Sequence, residues 1–182
     1  MYKMVGLLLL VPLAFVHASR VQLSRIVCAC GNEQFCDRMK LVYRGNEAVI
    51  YQLEGKASFT NDVEGVSHVN EEILEILKEK NETAVRDGLL NLLTLEASAL
   101  FYLRSSCNGT TTEKHECEKG LEYLFDATCD LVTATKELTE GSKPEAMKKV
   151  GTCSKGSKGP ELAYNLAMET LDALENRETE HV

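Results

Sequence analysis

The chain has 182 residues and a formal net charge of −8, from 28 acidic against 20 basic side chains. That length suits one domain with enough chain for a real hydrophobic core. The acidic balance argues against nucleic-acid binding, which needs a basic face for phosphates. With no Trp and 6% aromatic residues, no stacking platform for bases or sugars is expected either.

The first element is an export signal. Lys3 supplies the positive charge, residues 5–16 are apolar, and Val16 and Ala18 stand at −3 and −1 of a cleavage site after Ala18. The apolar core is shorter than the ~20 residues that span a bilayer. Residues 1–18 are therefore read as a signal peptide and 19–182 as a single secreted, extracellular domain. No transmembrane segment is expected in the mature chain: the most apolar stretch, 89–103, is interrupted by Asn91, Thr94, Glu96 and Ser98. The C-terminus carries no retention or lipid-anchor signal.

Residues 32–43 follow as a short helix. Asn32 caps it, Phe35, Met39 and Val42 or Tyr43 share a face, and Gly45-Asn46 reads as its stop. The apolar run 48–53 fits strand or helix equally. Thr60-Asn61-Asp62 and Gly65 read as loop. Residues 66–80 are amphipathic, with Val66, Val69, Ile73, Ile76 and Leu77 at helical spacing. A break at 81–83 leads into the most apolar helix, 83–104. Its Val85, Leu89, Leu92, Leu93, Ala97, Leu100 and Leu103 cover so much of the circumference that it is expected at the centre. Gly88 either weakens this helix or marks a close crossing.

After a turn at 107–111 comes a long helix, 112–139, with Cys117, Leu121, Leu124, Thr128, Leu131 and Leu138 on one stripe. A short helix is expected over 144–150 and a flexible loop over 155–159. Pro160 then opens a last helix with Leu162, Leu166, Ala167, Leu171 and Leu174 on its apolar face. From about 176 the chain is a polar, acidic tail expected to fray. The expected fold is all-α: a disulfide-stapled bundle of about four main helices with short additions.

Seven cysteines follow the signal: Cys28, Cys30, Cys36, Cys107, Cys117, Cys129 and Cys153. In an exported protein disulfides are the first expectation. Seven is odd, so one thiol stays free or joins two chains into a disulfide-linked dimer. Cys28 and Cys30 are too close for an unstrained bridge. Cys117 and Cys129 lie about 18 Å apart along one helix. Cys107 and Cys117 can close a helical corner. At least one bridge between the N-terminal three and the C-terminal four is expected, and Cys129, off the main stripe, is read as the odd one out. Two N-x-T sequons, at Asn81 and Asn108, sit at helix junctions and are candidate glycosylation sites.

Glu96 is the one residue with an unusual address. It falls inside the apolar arc of the central helix, where a carboxylate is costly unless paired or protonated. It is either a structural partner for a neighbouring polar group or the polar anchor of a ligand. His115-Glu116-Cys117 and Cys28-Ala29-Cys30 lack the repeated ligand pairs of a zinc site, and no metal or cofactor is expected. Lys148, Lys149, Lys155 and Lys158 read as solvated loop charges. His68 reads as a surface residue and His181 as part of the tail. There is no hydrolase elbow, P-loop or dinucleotide fingerprint, so an enzyme is not expected. Three functions remain: binding an extracellular partner protein, carrying a small apolar ligand in an inter-helix cavity anchored by Glu96, or, behind both, an enzyme with an unrecognised site. The residues assign the chain to no family.

Overall fold

The computed structural model describes residues 23, 25–139, 147, 150–153 and 159–179, except the side chains of 159, 160 and 176–179. The expected export signal, most of the short helix expected over 144–150, and all four lysines of the 148–158 group lie outside the described residues. Those residues form an all-α bundle stapled by three disulfides. Its helices are α1 (Glu33–Leu53), α2 (Thr60–Lys78), α3 (Glu82–Gly109), α4 (Lys114–Leu138) and α5 (Gly159–Thr179), with one 3-10 turn at Ala57–Phe59 leading into α2.

α1 starts where expected: the Asn32 side chain accepts a hydrogen bond from the Phe35 amide at 3.0 Å, satisfying one of the orphan donors of the first turn. It does not stop at Gly45-Asn46. The helix runs on to Leu53 and absorbs the ambiguous run 48–53. Both supposed stop residues have other work. A Cβ on Gly45 would lie 2.9 Å from the Cβ of Ala127, so the missing side chain is what lets α1 meet α4. Asn46 is fully buried and uses its amide in the core.

α1 and α4 run antiparallel and pack along most of their length. Arg38 bridges Asp130 at 3.5 Å and Glu137 at 3.1 Å at one end, Gly45 meets Ala127 in the middle, and Leu53 lies over Gly120 at the other end. Gln34 adds a hydrogen bond to Glu137 at 3.2 Å. Glu137 and Asp130 hold the Arg38 guanidinium above its ordinary pKa, against the opposing effect of partial burial.

α2 begins at Thr60, within residues expected to be loop, because the 3-10 turn delivers the chain directly into helical geometry. Asp62, in that first turn, accepts a hydrogen bond from Ser106 Oγ at 2.8 Å and so ties the start of α2 to the end of α3. Burial pushes its carboxyl above the ordinary value, with the Ser106 bond opposing the shift. All five predicted apolar positions of α2 are buried.

α3 packs against α2, α4 and α5, the central position its apolar pattern predicts. All seven predicted core residues, Val85 to Leu103, are buried. Each such leucine contributes on the order of 2 kcal/mol from burial. Gly88 marks a close crossing: a Cβ there would lie 2.9 Å from Ile76 Cγ1 of α2. α4 is equally central, touching α1, α3 and α5.

Candidate functional site

Glu96 sits where the helical pattern puts it, with no exposed surface, on the inner face of α3. Its hydrogen-bond partner is Asn46 of α1, whose Nδ2 donates to Oε2 at 3.1 Å. Burial pushes the carboxyl up to about 8, and the Asn46 bond opposes that shift only in part. Glu96 Oε1 and Asn46 Oδ1 both lack a partner. Two buried acceptors without a protein partner are costly. A proton on Glu96 converts Oε1 from an acceptor into a donor, and the unfilled acceptor of Asn46 belongs to the side chain already bonded to Oε2. The pair is thus suited to a neutral acid–amide contact between α1 and α3. Nearby, Asn70 Nδ2 of α2 donates to the Tyr43 carbonyl at 3.1 Å, a second buried amide fastening α1.

The sulfur pairing differs from the expectation in two respects. The bridges are Cys28–Cys36, Cys107–Cys117 and Cys129–Cys153. Cys107–Cys117 closes the α3–α4 corner as anticipated. No bridge joins the N-terminal three to the C-terminal four, and Cys129 is not the odd residue; Cys30 is. Position on the long helix misled the reading of Cys129. It is buried off the main stripe because α5 packs against α4, and Cys129 meets Cys153 there. The N-terminal segment needs no distant bridge. Cys28–Cys36 ties it to the first turn of α1, and the Ala29 amide donates to the Leu77 carbonyl of α2 at 3.2 Å.

Both sequon asparagines are exposed. Asn81 is also the N-cap of α3: its Oδ1 accepts from the amides of Thr83 at 2.9 Å and Ala84 at 3.2 Å. Asn108 lies in the last turn of α3, beside the Cys107–Cys117 bridge.

Two surface features remain. A groove of about 570 Å³ opens between α1 and α4, where Tyr51 and Tyr123 stand among Arg44, Glu47 and Lys119. Glu96 does not line it, so the structure does not bring the predicted ligand anchor to this groove. Elsewhere on the bundle, α3 and α5 present an aromatic group. Phe101 and Tyr102 are 55% and 64% exposed and meet edge to face at 5.7 Å between ring centres. Phe101 also approaches Tyr164 of α5 at 6.1 Å. An exposed ion pair, Arg104–Glu161 at 3.6 Å, borders the group.

These aromatics are not among the sequence-predicted site residues. A signal was present: at about 100° per residue, Phe101 shares the angular position of Thr94 and Tyr102 that of Asn91. Two large aromatics on the polar face of a core helix are the informative exception to burial. Asn108 lies seven residues beyond Phe101 on the same face, about 10 Å along the axis.

No family model, characterised protein or solved structure matches the chain. No described helix is long and apolar enough to cross a membrane.

Proposed function

We propose that this chain is a secreted, N-glycosylated, disulfide-bonded helical protein that acts by binding an extracellular partner protein through the Phe101–Tyr102–Tyr164 face. The exposed aromatic group carries this reading. Large aromatic side chains left in water at adjoining positions, edged by a charged pair, have the composition of an interface with an apolar centre and a polar rim. Tyr is also among the residues most often found to dominate binding energy. Three disulfides support an oxidising compartment. The carrier reading has less support. Glu96 is committed to Asn46 and does not reach the groove between α1 and α4, whose wall mixes Leu23, Ala48 and two tyrosines with Arg44, Glu47, Gln52 and Lys119.

The test uses the full chain recovered from the medium of secreting cells and immobilised. Extracellular fluid from the source tissue is passed over wild type and over the Phe101→Ser, Tyr102→Ser double variant. The reading expects a specific protein retained by wild type, with affinity reduced at least tenfold in the variant while the thermal midpoint stays within a few degrees. Equal retention by both proteins, or no specific protein on either, overturns it.

A further inference from the structure

Three sulfur atoms gather where the N-terminal segment meets α1. The Sγ atoms of Cys28, Cys30 and Cys36 all lie within 4.8 Å of one another. Two of them form the Cys28–Cys36 disulfide, and the third, Cys30 Sγ, is 3.3 Å from Cys28 Sγ. Cys30 is a half-buried free thiol. With Cys30 Sγ 3.3 Å from one sulfur of the bridge and within 4.8 Å of the other, Cys36 Sγ, thiol–disulfide exchange needs no encounter between molecules.

We propose that Cys28, Cys30 and Cys36 form a thiol–disulfide exchange site in which Cys36 alternates between Cys28 and Cys30 as its bonded partner. The Cys30 thiolate attacks Cys36 Sγ. The new Cys30–Cys36 bond forms as the Cys28–Cys36 bond breaks, and the electron pair leaves on Cys28 as a thiolate, which takes up the proton that Cys30 gave up. One disulfide and one thiol are present before and after, so no external oxidant or reductant is consumed. Attack on Cys28 Sγ instead would give a bridge between residues two apart, which is sterically poor. Productive exchange therefore keeps Cys36 in every bridge.

The local backbone suits two pairings. Cys36 is fixed in the first turn of α1 and buried, whereas Cys28 and Cys30 sit in the turn that precedes the helix. Gly31, at φ 76°, joins that turn to the cap residue Asn32 in a conformation other residues rarely adopt, and a side chain there would meet nothing within 4 Å. Changing partner shortens the closed loop from a separation of eight residues to one of six and draws the N-terminal segment two residues along α1. The accessible thiol moves from position 30 to position 28. This device is independent of the aromatic face and of any partner bound there.

Differential labelling tests it directly. The intact oxidised protein is equilibrated at mildly alkaline pH without reductant, where thiols ionise, and its free thiol is trapped with N-ethylmaleimide. The bridges are then reduced and alkylated with iodoacetamide. Trypsin releases residues 26–38, bounded by Arg25 and Arg38, as one peptide containing all three cysteines, and fragment ions locate each label. Exchange predicts maleimide on both Cys28 and Cys30, each above about 10% of molecules, and never on Cys36. Maleimide on Cys30 alone, or a chain recovered as a dimer with no thiol to trap, overturns the proposal. The Cys28→Ser variant gives a second reading. Exchange predicts a Cys30–Cys36 bridge and no free thiol in this peptide, whereas labelling of both Cys30 and Cys36 overturns it.

Discussion

Asn46 and Glu96 meet in the interior of the bundle, amide nitrogen to carboxyl oxygen at 3.1 Å, and neither side chain has any exposed surface. One residue comes from the helix that the sequence divides at Gly45-Asn46, the other from the helix that it places at the centre.

This contact makes stability depend on pH in a definite direction. The Glu96 carboxyl rises from an ordinary 4.5 to about 8 on folding. Between those values the folded chain holds a proton that the unfolded chain has released. Stability from this group is therefore complete below about pH 4.5 and is lost as pH rises through about 8. At ~1.4 kcal/mol per unit, a rise from 4.5 to about 8 makes the loss on the order of 5 kcal/mol. Glu96→Gln keeps the shape and removes the titration. Urea unfolding is expected to place the variant within about 1 kcal/mol of wild type at pH 5 and about 4 kcal/mol above it at pH 9. A difference that does not grow with pH contradicts the assignment; groups common to both proteins, such as Asp62, cancel.

The α1–α4 crossing gives a second prediction. Alanine normally improves a helix over glycine by about 1 kcal/mol. At position 45 the new Cβ would stand 2.9 Å from the Cβ of Ala127, and overpacking of this kind typically costs 1–3 kcal/mol. Gly45→Ala is expected to lower stability by about 1–2 kcal/mol, and adding Ala127→Gly to recover at least half of that loss. Chemical denaturation of the two single variants and the double variant checks this. A Gly45→Ala protein more stable than wild type would mean that the helices do not meet there.

How much of this was legible in the sequence follows from what each residue does. The apolar faces of α2, α3 and α5 were readable because burial repeats at the helical period, and Val66 to Leu77 or Val85 to Leu103 leave little ambiguity. Gly45-Asn46 was misread because a glycine–asparagine pair ends an isolated helix, whereas here tertiary contacts with Ala127 and Glu96 outweigh local preference. The Cys107–Cys117 corner was legible from chain geometry. Cys28–Cys36 was not, because Cys28 and Cys30 are equivalent at the resolution of spacing, and Cys129–Cys153 depends on how α5 folds back on α4. Glu96 stood out as a polar residue in an apolar arc, but its partner came from 50 positions away. Phe101 and Tyr102 were less legible because the helical period marks the buried face of α3 and is silent on which exposed positions bind a partner.

The capping of α3 by Asn81 and its proposed glycosylation can be separated by single substitutions. Its Oδ1 caps α3, while N-glycosylation would occupy Nδ2 and leave the cap in place. Thr83→Ala is expected to abolish a glycan at this site with stability lowered by no more than about 0.5 kcal/mol. Asn81→Ala is expected to lose the same glycan and about 1 kcal/mol besides. Gel mobility before and after enzymatic glycan removal, with thermal melts of the deglycosylated proteins, separates the two effects. Unchanged mobility in both variants would remove Asn81 as an acceptor.

The most direct measurement is peptide mapping, without reduction, of the protein recovered from the medium of expressing cells. The account predicts a mature N-terminus at Ser19. After glycan removal, it predicts tryptic peptide 105–114 joined to 115–119 through Cys107–Cys117, and 120–136 joined to 150–155 through Cys129–Cys153. A product kept inside the cell, with Met1 intact and every cysteine reduced, would contradict it.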